Sequence, residues 1–267
     1  MIPKIIHYCW FGHNPLPGSY QCYIESWRKY CPNYVIKEWN EDNFDVSQNQ
    51  YCLEAYQAGK WAFVSDYARL QIIYNYGGIY LDTDVELIKP IDDLIFDGCG
   101  FIGFQNYEQV TTGLGFAAPK KSPYVKAMLS MYEARHFLKT DGSYDLTPCP
   151  VANTVALLHC GMKTGKKATA NVQRLNGIRV LPVDYLNPQD VDTGKISITN
   201  NTYSIHHYTA SWYSDKQNNF RKIKRVIPAG ILHCRTLFIS KRAVDKMNKV
   251  YGDKLLGTKC KIYEKHI

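Results

Sequence analysis

Gly77-Gly78-Ile79-Tyr80-Leu81-Asp82-Thr83-Asp84 is the stretch from which the fold can be read. A glycine pair after a helical pattern marks its stop, because the residue past a helix end often takes a left-handed backbone that glycine adopts without strain. Ile79-Tyr80-Leu81 then forms a short strand that must be buried. Asp82 and Asp84 close the stretch with two carboxylates. Helix, glycine stop, buried strand and polar strand end make up the repeating unit of an open α/β sheet. In such sheets ligands bind beyond the carboxyl ends of the strands.

Working outward, Phe63 to Tyr76 is the expected helix, with Ser65 as N-cap, Asp66 in the first turn, and Ala68, Leu70, Ile72 and Ile73 at apolar positions. Upstream, Lys4 to Tyr8 is expected as a buried strand and Trp10 to Ser19 as a loop rich in glycine and proline. Ser19 to Tyr30 reads as a helix, Tyr34 to Trp39 as a second strand, and Tyr51 to Ala58 as a short helix stopped by Gly59. Downstream come strands at Ile102 to Gln105 and Leu114 to Ala118 around a glycine-rich connection. Helices are expected at Val125 to Phe137 and Val151 to Leu158, and late strands at Val180 to Val183 and Thr202 to His207. Past Trp212, Arg221, Lys222, Lys224, Arg225, Lys241 and Arg242 are interleaved with apolar residues. The expected organisation is an α/β domain over 1–212 and a basic helical C-terminal extension over 213–267, with no internal repeat.

Composition bounds the chemistry. A chain of 267 residues, 45% hydrophobic and 21% charged, can bury one large α/β core. Its 21 tyrosines and 5 tryptophans suit sugars and bases, since each ring covers an apolar face and offers a polar edge; an AT-rich genome would enrich tyrosine equally. The net charge of +8 favours a polyanionic partner. Nine scattered cysteines with no C-x-x-C pair read as reduced thiols. The N-terminus lacks a signal-peptide layout and no apolar run reaches membrane-spanning length, so the expected location is cytoplasmic. Phe220 to Leu237 reads either as a peripheral contact with the inner face of the cell membrane or as a solvated basic helix. No P-loop, Rossmann glycine fingerprint, zinc spacing or Ser–His–Asp arrangement can be argued.

On a continuing strand Asp82 and Asp84 share one face, and a hard divalent cation, Mg²⁺ or Mn²⁺, relieves their repulsion while leaving positions open for diphosphate oxygens. The plain alternative is a solvated turn after a strand. The twenty residues from Ser65 to Asp84 resemble the donor-binding block of glycosyltransferase family 32, typified by the yeast initiating mannosyltransferase and many bacterial capsule enzymes. Ile2 to Gly12 is similar to that family's first strand and loop, and Ile205-His206-His207-Tyr208-Thr209-Ala210-Ser211-Trp212 to its late block.

The resemblance implies a GT-A fold, a nucleotide-sugar donor, a divalent metal and retention of anomeric configuration. By position, it makes Asp84 a direct metal ligand and gives Asp82 to the ribose and the metal. It assigns Asp66 and Arg69 to the donor sugar and diphosphate, Trp10 to the uracil base, and Ser211-Trp212 to a segment closing over the diphosphate. Asp66 and Arg69, three apart on one helix, place both heads over one spot, and Arg69 would fork onto phosphate oxygens. Trp10 reads equally as a core residue, while His7 and Tyr8 are left with backbone contacts. Adjacent strand residues face opposite ways, so one of His206 and His207 reaches the cation, His206 by preference, and imidazole suits Mn²⁺ better than Mg²⁺.

Front-face transfer is expected, with Asp145 as the candidate nucleophile for double displacement. The leading reading is a UDP-hexose transferase, galactose first, acting on a saccharide acceptor in bacterial surface polysaccharide synthesis, the acceptor lipid-linked. The alternative is a non-catalytic nucleic-acid-binding protein using the positive charge and the aromatics. An acidic pair at the end of the best-defined strand, where phosphate is repelled, weighs against it.

Overall fold

A computed structural model describes residues 1–190, 193–209 and 240–251 of the protein. The first half runs β1 (Ile5–Cys9), α1 (Gly18–Tyr30), β2 (Val35–Trp39), α2 (Gln50–Gln57), α3 (Trp61–Tyr76), β3 (Gly78–Tyr80) and β4 (Val85–Leu87). It continues as β5 (Gly100–Asn106), β6 (Gln109–Ala118), α4 (Pro123–Ser130), α5 (Cys149–His159), β7 (Gln173–Leu175), β8 (Ile178–Leu181), α6 (Val183–Leu186) and β9 (Ser204–His206).

Among the described residues seven strands form one sheet in the order β2-β1-β3-β6-β5-β8-β7, and β4 pairs with β9 in a second, small sheet. In the large sheet β6 and β7 run against the other five strands. Both faces are covered, so side chains alternate between two apolar layers. Tyr80, Ile102 and Phe116 join the layer packed by α2, α3, α4 and α5, while Ile79, Phe101 and Ala117 join the layer of α1 and α6. This mixed, mostly parallel sheet between helices is consistent with the GT-A fold that the resemblance implies.

Several boundaries differ from expectation, each for a physical reason. The helix α3 starts at Trp61, earlier than read, because Phe63 and Val64 are buried in the core and packing extends the helix upstream. Ser65 therefore lies inside the helix, and the capping position, Lys60, makes no side-chain cap. Gly77 ends the helix at φ 68°, as the pattern required. The strand β3 stops at Tyr80, and Asp82 and Asp84 occupy a turn closed by Val85 N–H to Asp82 O at 3.0 Å. They converge because the chain turns, and not because a pleat aligns them.

The glycines Gly113 and Gly115 lie within β6, whose hairpin to β5 turns at residues 107–108. The helix α4 ends at Ser130, well before Phe137, since Arg135 turns inward to Asp145 and to the Thr147 carbonyl. Val183 is helical: Pro182, which has no N–H to give a ladder, ends β8 and opens α6. The strands β4 and β7 had no periodic signature long enough to read.

Residues 240–251 are helical, and Val244 and Met247 are buried in the larger core cluster. The expected domain boundary at 212 and the basic stretch Phe220 to Leu237 lie outside the described residues. All seven cysteines among the described residues carry free thiols. No described helix is long and apolar enough to cross a membrane.

Candidate metal and donor site

Two backbone segments build the acidic cluster at the carboxyl ends of β1 and β3. The turn after β3 supplies Asp82 and Asp84, and β9 supplies His206 through the pairing of Val85 with His206. Asp82, Asp84 and His206 each bring a ligand atom within 4.8 Å of the other two. His206 Nε2 lies 3.2 Å from Asp84 Oδ1, and its buried Nδ1 has no hydrogen-bond partner. Burial alone would raise the Asp84 carboxyl, but the charge and hydrogen bond of His206 and two donors from Thr209 outweigh it and hold it well below the usual carboxylate range. Burial would lower His206, yet Asp84 and then Asp82 raise it. Asp82 is raised by burial against the pull of Arg69, and the Asp84 charge adds to the rise. Two neighbouring carboxylates pushed in opposite directions, with an imidazole opposite, form a donor set that fits one divalent cation of the Mn²⁺ type.

Beneath this cluster lies a buried ion-pair floor. Arg69 is 4% exposed, and its Nη2 stands 3.2 Å from both Asp66 Oδ1 and Asp82 Oδ1. Its Nε donates to the Ser65 carbonyl at 3.0 Å, its Nη1 approaches Cys149 Sγ at 3.8 Å, and its guanidinium lies over the Tyr80 ring. The fork expected on phosphate oxygens thus has protein partners in this structure, and Arg69 orients two carboxylates. Burial raises Asp66 while Arg69 and the thiol of Cys149 oppose the rise. Tyr80 donates to Asp82 Oδ1 at 2.9 Å, leaving Oδ2 facing Gly113, where a Cβ would come within 2.6 Å of that oxygen. Cys149, Tyr80 and Gly113 were not singled out from sequence: their roles come from tertiary approach, which no local pattern carries.

The remaining sequence candidates among the described residues have partners outside the three-residue cluster. Trp10 is half-buried, donates from Nε1 to the Asn14 carbonyl at 2.7 Å, and rests on Tyr20 with ring centroids 5.5 Å apart. The Tyr8 hydroxyl is bound to Glu38 and its ring packs edge-on against Trp27, so only its backbone faces the strand end. His207 points away from the cluster: its Nε2 bonds Glu86 Oε2 at 2.8 Å and its ring stacks on Tyr23. This removes it from the metal candidates, as strand alternation requires. Asp145, the nucleophile considered from sequence, is held by Arg135 Nε at 2.7 Å and by the Thr147 N–H and braces the loop before α5. Ser211 and Trp212 lie outside the described residues.

Residues 17–99 match the family model described as "Glycosyltransferase sugar-binding region containing DXD motif". An uncharacterized glycosyltransferase of Acanthamoeba polyphaga mimivirus is 34% identical over 107 residues, covering 38% of this chain and 42% of that protein. Inositol phosphoceramide mannosyltransferase 1 of Schizosaccharomyces pombe is 27% identical over 154 residues, covering 52% of this chain and 46% of its own length. The matches thus span less than half the length of these curated relatives. Among solved structures, the PaToxG glycosyltransferase superposes with a TM-score of 0.44 at 19% identity, covering 58% of this chain and 69% of that one. That is too distant for any residue to be carried over. The family match and the relatives support a family like glycosyltransferase family 32.

Proposed function

We propose that this chain is a retaining glycosyltransferase that binds a nucleotide diphosphate sugar with a divalent cation and transfers a hexose to a saccharide acceptor. The observation that carries the proposal is the convergence of Asp82, Asp84 and His206 inside a chain that matches the DXD sugar-binding region. Those three residues would hold the ion, Mn²⁺ by preference because of the imidazole. Its chemistry when bound is to neutralise the diphosphate as negative charge grows on the leaving group.

The chain's own residues do the rest. Arg69 opposes the rise that burial imposes on Asp66 and Asp82 and holds both carboxylates in place. In this reading Asp66 accepts from donor-sugar hydroxyls and the ring of Trp10 covers the base. In front-face transfer the bond between the anomeric carbon and the diphosphate oxygen breaks, its electron pair leaving with the diphosphate. The acceptor oxygen bonds the same face of that carbon, and its proton passes to the departing phosphate oxygen. A nucleophilic carboxylate is not required, in keeping with Asp145 being engaged elsewhere.

The fission-yeast relative is named for transferring mannose to inositol phosphoceramide, which supports a hexose donor and a lipid-borne acceptor. Galactose from UDP, a surface polysaccharide as product, and action at the inner face of the cell membrane remain part of the proposal. Its test is nucleotide release from a panel of UDP- and GDP-hexoses, with and without Mn²⁺, by wild type and Asp84→Asn. We expect metal-dependent release from one donor and its near-complete loss in the folded variant. Release by Asp84→Asn within a few fold of wild type at saturating Mn²⁺ sinks the proposal.

A further inference from the structure

The two oxygens of Asp84 face different partners. Oδ1 looks toward His206 Nε2 at 3.2 Å, while Oδ2 receives both the N–H and the hydroxyl of Thr209, each at 3.0 Å. A carboxylate only accepts, so the single hydroxyl proton of Thr209 is committed to Asp84. Tyr20 Oη lies 3.0 Å from Thr209 Oγ1, and the only proton left for that bond is the phenolic one. The direction is therefore fixed: Tyr20 donates to Thr209, and Thr209 donates to Asp84. Thr209 is exposed, but Tyr20 is 8% exposed on α1 and packs against Trp10, which anchors the relay in the core.

We propose that Tyr20 and Thr209 are positioning residues for the cation site, Tyr20 acting through the hydroxyl of Thr209 to hold Asp84 with Oδ1 turned toward the ion. This rests on reading Asp82, Asp84 and His206 as a cation site. Ligands to a metal depend on the outer hydrogen bonds that orient them, and losing such a bond costs roughly 10–100-fold in affinity. Rotating the Asp84 carboxylate away from the cluster would break both bonds from Thr209, so the relay opposes that rotation. The same tyrosine supports Trp10, so the loop after β1 and the segment after β9 share one brace.

The experiment is titration of the full chain with Mn²⁺ alone, free Mn²⁺ being read by electron paramagnetic resonance. Thr209→Val should weaken binding about tenfold and Tyr20→Phe about threefold, a smaller loss because it acts one bond further out. Thr209→Ser, which keeps the hydroxyl, should bind like wild type. In a Thr209→Val background Tyr20→Phe should add nothing. If Tyr20→Phe weakens binding equally in both backgrounds, Tyr20 acts by packing and the relay is overturned. Unchanged affinity in Thr209→Val overturns it as well; should that variant fail to fold, Thr209→Ala takes its place. Absence of Mn²⁺ binding in the wild type overturns the cation site itself, a different failure because it appears before any substitution.

Discussion

At the scale of the residue, His7 shows how fully this interior specifies its protons. The indole Nε1–H of Trp39 donates to His7 Nδ1 at 3.0 Å, so the ring proton sits on Nε2 and is given to the Gly77 carbonyl, also at 3.0 Å. A second proton has nowhere to go. Burial pushes the His7 pKa down to about 4 from its ordinary 6.5, Lys37 adds to the fall, and the Gly77 bond opposes it. The unfolded chain therefore binds more protons than the native one between those values. Stability should rise with pH across that window and be lost as pH falls from about 6.5 toward 4, by on the order of 3 kcal/mol. Urea midpoints of wild type and His7→Gln, measured across that range, check this: equal slopes in the two proteins would rule it out. From sequence His7 carried only its place in a strand and a backbone contact. Asp82 and Asp84 could be picked out because paired carboxylates after a buried strand are a local pattern, whereas Asp66, Arg69 and His206 came from the family resemblance, the i, i+3 spacing of the first two agreeing with it. The ion pair of Arg69 with Asp82 could not be read, since Asp82 comes from another element.

At the scale of the element, β6 shapes the site without donating to it. Its residue Gly113 lets the strand pass close to Asp82 and Arg69, and an added Cβ would stand 2.6 Å from Asp82 Oδ2 and 3.4 Å from Arg69 Nη1. Gly113→Ala must push the carboxylate aside, and a displaced ligand should weaken Mn²⁺ binding about tenfold or more, while the melting temperature stays within a few degrees. Calorimetric titration checks this, and unchanged affinity would show that Asp82 is free to move. The helix α3 and strands β1, β2 and β3 were legible because periodicity and a glycine stop agree there. The β5–β6 hairpin was read less well: glycines that favour a loop by local rule are used here for close approach. The early end of α4 was hidden for a similar reason, because the inward turn of Arg135 toward Asp145 is a tertiary contact.

At the scale of the whole molecule, residues 240–251 are packed into the core. Val244 and Met247 are 5% and 7% exposed within the larger core cluster, Asn248 meets His159 at 2.8 Å, and Ser240 approaches Asn106 and Gln109. Ending the chain at residue 239 should remove roughly 3–6 kcal/mol of apolar burial from those two side chains alone, a large part of a typical domain's stability. A urea or thermal melt that left the truncated chain as stable as the full one would refute this. Sheet order and the docking of residues 240–251 could not be read from sequence, because both depend on long-range pairing. That pairing also sets a clock. Thr209 follows Asp84 by 125 residues, and β9 must close on β4 before His206 can join the two aspartates. At about 5–20 residues per second, roughly 6–25 s of synthesis separates the emergence of the acidic turn from that of His206 and Thr209. A nascent chain thus carries its acidic turn long before the imidazole that completes the donor set, and capture of an ion by all three residues must wait until β9 has been made and has paired.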